Sequence, residues 1–271
     1  MKVGIILHGG AGNWQENKIP KASKILEKAA YIGINLLKNN KSSLEAVEKS
    51  INFLEDSGYF NCGLGSFAQD DGKIRMDASV MDDSNLKCGA VGAIENIKNP
   101  ISVARKVMEN TKHCLLVSKY ATEFAVKNGF KKINIRPKAI QKKVKVTSDT
   151  VGAIAIDRNG KIAVGDSTGG IKGMIPGRVG SSAIAGAGFY ANEFAGAAAT
   201  GIGEAFIRTT IIRRAVDMVH EGKSPKEVSK ISLEILKQKT GCEGGIIILD
   251  KDWNYAAYYT TKAMPWVYKR S

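Results

Sequence analysis

The chain has 271 residues, 44% hydrophobic and 24% charged, with 40 Lys and Arg against 26 Asp and Glu, a formal net charge of +14. That is a globular composition, too apolar for disorder and long enough for one large domain or two small ones. No apolar run approaches the ~20 residues of a membrane helix, and the short run after Lys2 stops at His8-Gly9-Gly10, so no signal peptide is expected.

Residues 2–7 predict a buried strand ending in the loop His8-Gly9-Gly10-Ala11-Gly12. Pro20 opens a helical pattern carried by Ile25, Leu26, Ala29, Ile32, Leu36 and Leu37. Ser42 and Glu45 form a capping box for a second helix through Leu54. The Gly-rich loop Asn61-Cys62-Gly63-Leu64-Gly65-Ser66 follows, then strands at 73–81 and 87–95. Asn99-Pro100 reads as an N-cap with Pro at the first helical position, and 115–127 as a further helix. Residues 130–149 are Lys-rich, show no period and read as a linker. Strands at 151–157 and 161–167 flank the hairpin signal Arg158-Asn159-Gly160, and 182–187 predicts a third strand. A long helix spans 203–221, a capping box at Ser224-Pro225-Lys226-Glu227 opens another to about 239, and strands at 244–249 and 254–260 close the chain. Helices and strands both come in pairs, which a strictly alternating doubly wound sheet does not produce. The expected fold is α+β: two stacked antiparallel sheets between paired helices, a four-layer α-β-β-α sandwich, as one domain over 1–271.

Several chemistries are excluded. Four cysteines (62, 88, 114, 242) form no CxxC pair, and three histidines offer no zinc spacing. Cys88 and Cys114 have apolar neighbours and are expected as buried free thiols, which fits a reducing cytoplasm. There is no phosphate loop, HExxH, EF-hand or GxSxG elbow, and neither Gly186-Ala187-Gly188 nor Gly63-Leu64-Gly65 meets the dinucleotide fingerprint. His8 is expected as a satisfied core histidine rather than a group supporting the chemistry. Basic residues are spread along the chain, and the cluster at Lys131, Lys132, Lys138, Lys142, Lys143 and Lys145 lacks interleaved aromatics. A solvated linker is favoured over a nucleic-acid patch, and neither nucleic acid nor membrane is expected as partner. A non-enzymatic basic binding module rests on the +14 charge alone.

What remains is a set of threonines beside glycines: Asp149-Thr150 at the end of the linker, Ser167-Thr168-Gly169-Gly170, and Thr200-Gly201-Ile202-Gly203-Glu204. Singly, each is a β-branched residue at a strand and a turn glycine. A threonine hydroxyl needs a base to act as nucleophile, and its own α-amine, with a pKa of about 7.7–8.0, can serve. That requires cleavage between Asp149 and Thr150, giving an α fragment 1–149 and a β fragment 150–271.

These motifs make the chain resemble the plant-type asparaginase/isoaspartyl aminopeptidase family of N-terminal nucleophile hydrolases, with glycosylasparaginase and threonine aspartase. The resemblance spans nearly the whole chain. It also includes Phe60-Asn61-Cys62-Gly63-Leu64-Gly65-Ser66, Met76-Asp77-Ala78-Ser79, Gly89-Ala90-Val91, Lys98-Asn99-Pro100-Ile101, Val107-Met108-Glu109, Gly177-Arg178-Val179-Gly180 and Gly186-Ala187-Gly188-Phe189-Tyr190-Ala191-Asn192. It implies an autocatalytic amidohydrolase of L-asparagine or β-aspartyl peptides. Thr150 would be the nucleophile, Thr168 would orient it, and the Thr200 hydroxyl with the Gly201 N–H would form the oxyanion hole. Arg178 would clamp the substrate α-carboxylate, with Val179, Gly180, Ser181, Thr200, Gly201, Ile202 and Gly203 around the substrate and Asn61 beside the nucleophile. No catalytic cofactor is implied. A structural sodium held by the loop of Leu54, Glu55, Ser57, Phe60, Cys62 and Leu64 is, as is an (αβ)2 heterotetramer. The pattern departs at Ser181, where the family usually carries the aspartate that pairs with the substrate ammonium. The alternative it leaves open is a threonine-aspartase-like endopeptidase, or an amidase whose substrate lacks a free α-amine.

Overall fold

The structure is a computed structural model that describes residues 2–135 and 150–271. Eleven strands and seven α-helices occupy those residues. Strands β1 (Gly4–His8), β2 (Met76–Asp82), β3 (Cys88–Ile94), β4 (Leu115–Val117), β5 (Val151–Ile156), β6 (Ile162–Thr168) and β11 (Trp266–Arg270) form one sheet in the order β11-β1-β5-β6-β2-β3-β4. A second sheet has the order β10-β9-β8-β7, from β7 (Phe189–Ala191), β8 (Ala195–Gly201), β9 (Gly244–Asp250) and β10 (Tyr255–Tyr259). The architecture is mixed α/β. All pairings are antiparallel except β3 with β4, which is parallel.

Period-2 alternation decides which face meets which layer. Ile5, Leu7, Val151, Ala153, Ala155, Ala163, Ala78 and Val80 join the core under α1 (Ile19–Lys38), α2 (Ser43–Asp56) and α3 (Pro100–Asn110). The alternate residues Ile6, Ile154, Ile156, Ile162, Val164 and Met81 join a second core with β7–β9, α6 (Ile211–His220) and α7 (Pro225–Thr240). Because Thr150, Asp166 and Thr168 continue that even-numbered series, the larger sheet presents them toward the smaller one. Strands from the two sides of the 149/150 junction interleave: β1 lies between β11 and β5, and β6 pairs with β2.

The structure revises several expectations. Residues 115–117 are a strand parallel to β3, and the helix, α4 (Ser118–Lys127), starts only after them. Residues 181–183 form a 3-10 turn instead of a strand, while β7 and β8 follow in an Ala- and Gly-rich stretch with little intrinsic β preference. The long helix breaks at Thr210, in the left-handed region at φ 46, between α5 (Gly203–Thr209) and α6. Asn99 is the N-cap residue of α3, but its side chain donates to Glu55 and Asp56 rather than capping. Ser42 does cap α2, accepting from the Glu45 N–H at 3.1 Å. Cys114 is exposed and Cys88 half-buried, contrary to the expected buried thiols, because Cys114 precedes the open edge strand β4. At the start of the expected linker, the Ile133 N–H donates to Asn96, and Lys132 bridges Ile97. Lys138, Lys142, Lys143, Lys145 and Asp149 lie outside the described residues.

Gly89 explains part of the Gly89-Ala90-Val91 motif. A Cβ there would meet the Met108 backbone nitrogen at 2.5 Å, and the Ala104 carbonyl lies against it too. Both belong to α3, whose backbone cannot rotate away. Gly89→Ala is expected to lift α3 off β3 and destabilise the protein by about 1–3 kcal/mol. A urea unfolding midpoint reads this directly.

Candidate active site

Thr150 sits immediately before β5 and is 5% exposed. Its hydroxyl donates to Thr168 Oγ1 at 3.1 Å, from the end of the neighbouring strand. Thr168 Oγ1 also accepts the Gly170 N–H at 3.0 Å, so two donors fix that oxygen. Asn61 supports this turn. Its amide donates to the Gly170 carbonyl at 2.6 Å, its Oδ1 accepts from the Phe67 N–H, and its own carbonyl accepts from the Gly169 N–H. The Gly-rich loop thus reaches Thr150 indirectly, through Gly170 and Thr168.

Thr200 approaches from the opposing sheet at the end of β8. Its Oγ1 accepts the Ala11 N–H at 3.0 Å, which gives the His8–Gly12 loop its place in the site. Next to it, Gly201 has φ +149, a conformation that favours glycine, and a Cβ there would meet Phe206 at 2.9 Å.

Arg178 stands in the pocket lined by Thr150, Thr168, Gly180, Ser181, Gly201 and Gly203, among others. Its Nε and Nη2 donate side-on to the two Glu204 oxygens at 2.8 and 2.9 Å. The remaining edge is flanked by glycines: Cβ atoms at Gly180 and Gly203 would each lie 2.7 Å from a guanidinium nitrogen. Asp77 anchors the segment behind, accepting the Gly180 N–H at 2.7 Å and the Ala93 N–H at 2.8 Å. Burial raises the Asp77 carboxyl to about 6, against the pull of these donors and of Arg178. Glu204 and Asp77 lie inside the sequence motifs but carry no expected role there; the spacing of Glu204 to the Thr200-Gly201 pair is the available signal. Val179 turns its methyls onto Gly92, and neither it nor Ile202 lines the pocket.

His8 is fully buried, and burial pushes its imidazole down to about 3, keeping it neutral at working pH. Nδ1 accepts the Gly10 N–H at 3.3 Å, and Nε2 lies 2.5 Å from where a Gly152 Cβ would stand. The histidine is buried as expected but not satisfied: among the described residues Nε2 has no partner at hydrogen-bonding geometry, and the Thr150 backbone beside the ring pulls its pKa part of the way back up.

The segment from Leu54 to Leu64, expected as a loop, begins inside α2, whose last turn carries Leu54 and Glu55; Glu55 is buried and accepts from Ser167 Oγ, the Asn99 amide and the Ile101 N–H. Burial outweighs these donors and raises its carboxyl to about 8. A raised folded-state pKa means that Glu55 favours the fold fully below its unfolded value of about 4.3 and loses that contribution as pH rises through 8. Glu55→Gln is therefore expected to flatten the fall in melting temperature between pH 5 and 8, which thermal scans in a pH series would show. No group of His, Cys, Asp and Glu able to hold a metal occurs among the described residues. Likewise, no described helix is long and apolar enough to cross a membrane.

A protein-family model described as Asparaginase matches residues 1–145 and 134–271. The isoaspartyl peptidase/L-asparaginase of Bos taurus is 37% identical over 281 residues, covering 97% of this chain and 91% of the bovine protein. The plant-type L-asparaginase of Pyrococcus horikoshii is 39% identical over 296 residues, covering 99% and 96%. The chain belongs to the asparaginase family. The Homo sapiens isoaspartyl peptidase/L-asparaginase, 34% identical, covers 97% of this chain and 91% of its own length.

Proposed function

We propose that this asparaginase-family member is a self-processing N-terminal threonine amidohydrolase that hydrolyses L-asparagine to L-aspartate and ammonia, β-aspartyl peptides, or both. The observation that carries the reading is the Thr150–Thr168 hydroxyl contact at 3.1 Å, at the residue just before β5 and in the lining of the Arg178 pocket. Attack of the Thr150 hydroxyl on the Asp149 carbonyl shifts the acyl group from nitrogen to oxygen and frees the Thr150 amine, and water then hydrolyses the resulting ester, cutting the chain into 1–149 and 150–271. That amine takes the hydroxyl proton as Oγ1 attacks the side-chain amide carbon. The tetrahedral oxyanion is held by the Thr200 hydroxyl and the Gly201 N–H, fixed donors of a kind worth ~3 kcal/mol each. Because the Ala11 N–H already occupies a lone pair of Thr200 Oγ1, it orients the hydroxyl proton. Ammonia leaves with the proton held by the amine, and water then hydrolyses the Thr150 ester with the same amine as base. The outer edge of Arg178 takes the α-carboxylate bidentately.

Interleaving of strands from both fragments keeps them together after the cut, in a four-layer α-β-β-α arrangement of a single domain. Pairing into an (αβ)2 assembly and a cytoplasmic setting belong to the same proposal. A structural sodium in the Leu54–Leu64 segment belongs to the same proposal. It would brace the loop that carries Asn61, and no catalytic step passes through it.

A second reading is favoured by one observation: among the described residues no acidic side chain lines the pocket, and Ser181 brings no charge. A threonine-aspartase-like endopeptidase, or an amidase of substrates without a free α-amine, would need none. Denatured mass with N-terminal sequencing, followed by ammonia release from asparagine, tests the leading reading. Fragments ending at Asp149 and starting at Thr150, together with ammonia release, are expected. An uncut chain that hydrolyses asparagine at full rate would overturn it.

A further inference from the structure

Asp166 is fully buried, and neither of its carboxyl oxygens has a partner at hydrogen-bonding geometry. It shares a face of β6 with Thr168, which contacts the nucleophile. Directly across from it in the sheet are Gly152, which has no side chain, and Ser79, whose buried hydroxyl is also unpartnered. Facing residues in such pairs have Cβ atoms about 4.5–5.5 Å apart. The strands packed on β6, namely β2, β5, β7 and β8, contain no Lys, Arg or His. Asp77 repels its charge, and Arg178 spends its side-on edge on Glu204. A buried carboxyl is costly unless it is compensated, and burial holds this one well above the usual carboxylate range, so a cation placed beside it would draw it into its charged form.

The 3-10 turn over Asp166 supplies the direction. Ser182 is the side chain that most eases the Asp166 charge, and Ser182 also lines the pocket. With the amide of an amino-acid substrate at Thr150 and Gly201 and its α-carboxylate on the Gly180–Gly203 side of Arg178, the α-ammonium falls next to Ser181 and Ser182. Those two hydroxyls are the uncharged polar side chains left on that wall. They can accept from an ammonium but cannot neutralise it.

We propose that Asp166 is the positioning residue that supplies, through the Ser182 hydroxyl, the negative charge for a substrate α-ammonium at this wall. The inference rests on the amidohydrolase reading and narrows it to substrates with a free α-amine. The carboxylate lies one residue deeper than the pocket lining, so the wall looks neutral although the charge stands behind it. With substrate bound, the Ser182 hydroxyl turns to donate to Asp166 while it accepts from the ammonium, and Thr150, Thr200 and Gly201 are not involved.

The test compares L-asparagine with succinamate, the same molecule without its α-amine, on self-cleaved protein. Asp166→Asn keeps the shape and removes the charge. The ratio of KM for asparagine to KM for succinamate is expected to rise at least about tenfold, with kcat for asparagine within about threefold of the parent. Ser182→Ala, which leaves the carboxyl in place, should raise the same ratio, and it carries the test if the Asn variant does not mature. An unchanged ratio in both variants, or a parent that shows no KM preference for asparagine over succinamate, overturns the role of Asp166 while leaving the amidohydrolase intact. A self-cleaved parent that hydrolyses neither compound overturns the functional reading and this inference with it.

Discussion

A Thr150→Ala protein is expected to remain a single chain of 29.1 kDa on a denaturing gel, while the parent separates into two fragments. Its hydrolysis of asparagine should fall by about 10^4-fold or more, because nucleophile and base disappear together. The effect is large because Thr150 serves twice: its hydroxyl attacks Asp149 first and the substrate afterwards, and its amine exists only after the first attack. Thr150→Ser keeps the hydroxyl and should retain both reactions at reduced rate. Thr168→Val provides the control for geometry. It keeps the shape beside Thr150 but removes the oxygen that accepts its hydroxyl at 3.1 Å. The valine variant should slow both steps without changing where the chain is cut. Time courses of fragment appearance and of ammonia release separate these three outcomes.

The part of this site that the sequence announced is the part built from local pattern. Thr168 and Thr200 each sit where a strand runs into glycines, and Thr150 stands where a Lys-rich stretch gives way to an apolar run, signatures written in consecutive residues. The strands that carry Thr150 and Thr168 were equally legible, because Val151–Ile156 and Ile162–Thr168 are apolar, β-branched and joined by a recognisable turn. Strand β8, which carries Thr200, was not. Ala195–Gly201 owes its strand to pairing with β9 and burial between layers, and neither is visible in a run of Ala and Gly. Edge strands β4 and β11 escaped for a related reason. Each is short or half-exposed and is fixed by one neighbour, β3 or β1. Long-range polar partners were the least visible. Ala11 reaches Thr200 across 189 positions, and Asp77 reaches Gly180 across 103. The motifs around Ala11 and Asp77 stood out in the sequence, but what they hold became apparent only when the sheets were brought face to face.

Arg178→Lys is the second substitution with a large expected effect. It should divide the two functions of the pocket. The guanidinium is planar and addresses two carboxylates at once, Glu204 along Nε and Nη2 and a substrate along the edge between Gly180 and Gly203. An ammonium cannot do both in one plane. Once it pairs with Glu204, which is half-exposed and held in its charged form by Arg178, it no longer presents a fork to the pocket. Losing a charged partner of this kind costs about 2–5 kcal/mol, or about 30-fold to several thousand-fold in kcat/KM for asparagine, mostly as a higher KM. Self-cleavage should persist, since Arg178 contacts neither Thr150 nor Thr168 in the hydrogen-bond network, and the two fragments would show that the variant is folded and mature. 3-Aminopropanamide, which keeps the amine and amide of asparagine but has no α-carboxylate, supplies the decisive comparison. Its KM should be nearly the same for parent and lysine variant. If both compounds lose affinity equally, Arg178 shapes the pocket through Glu204 and the glycines, and the α-carboxylate is held elsewhere.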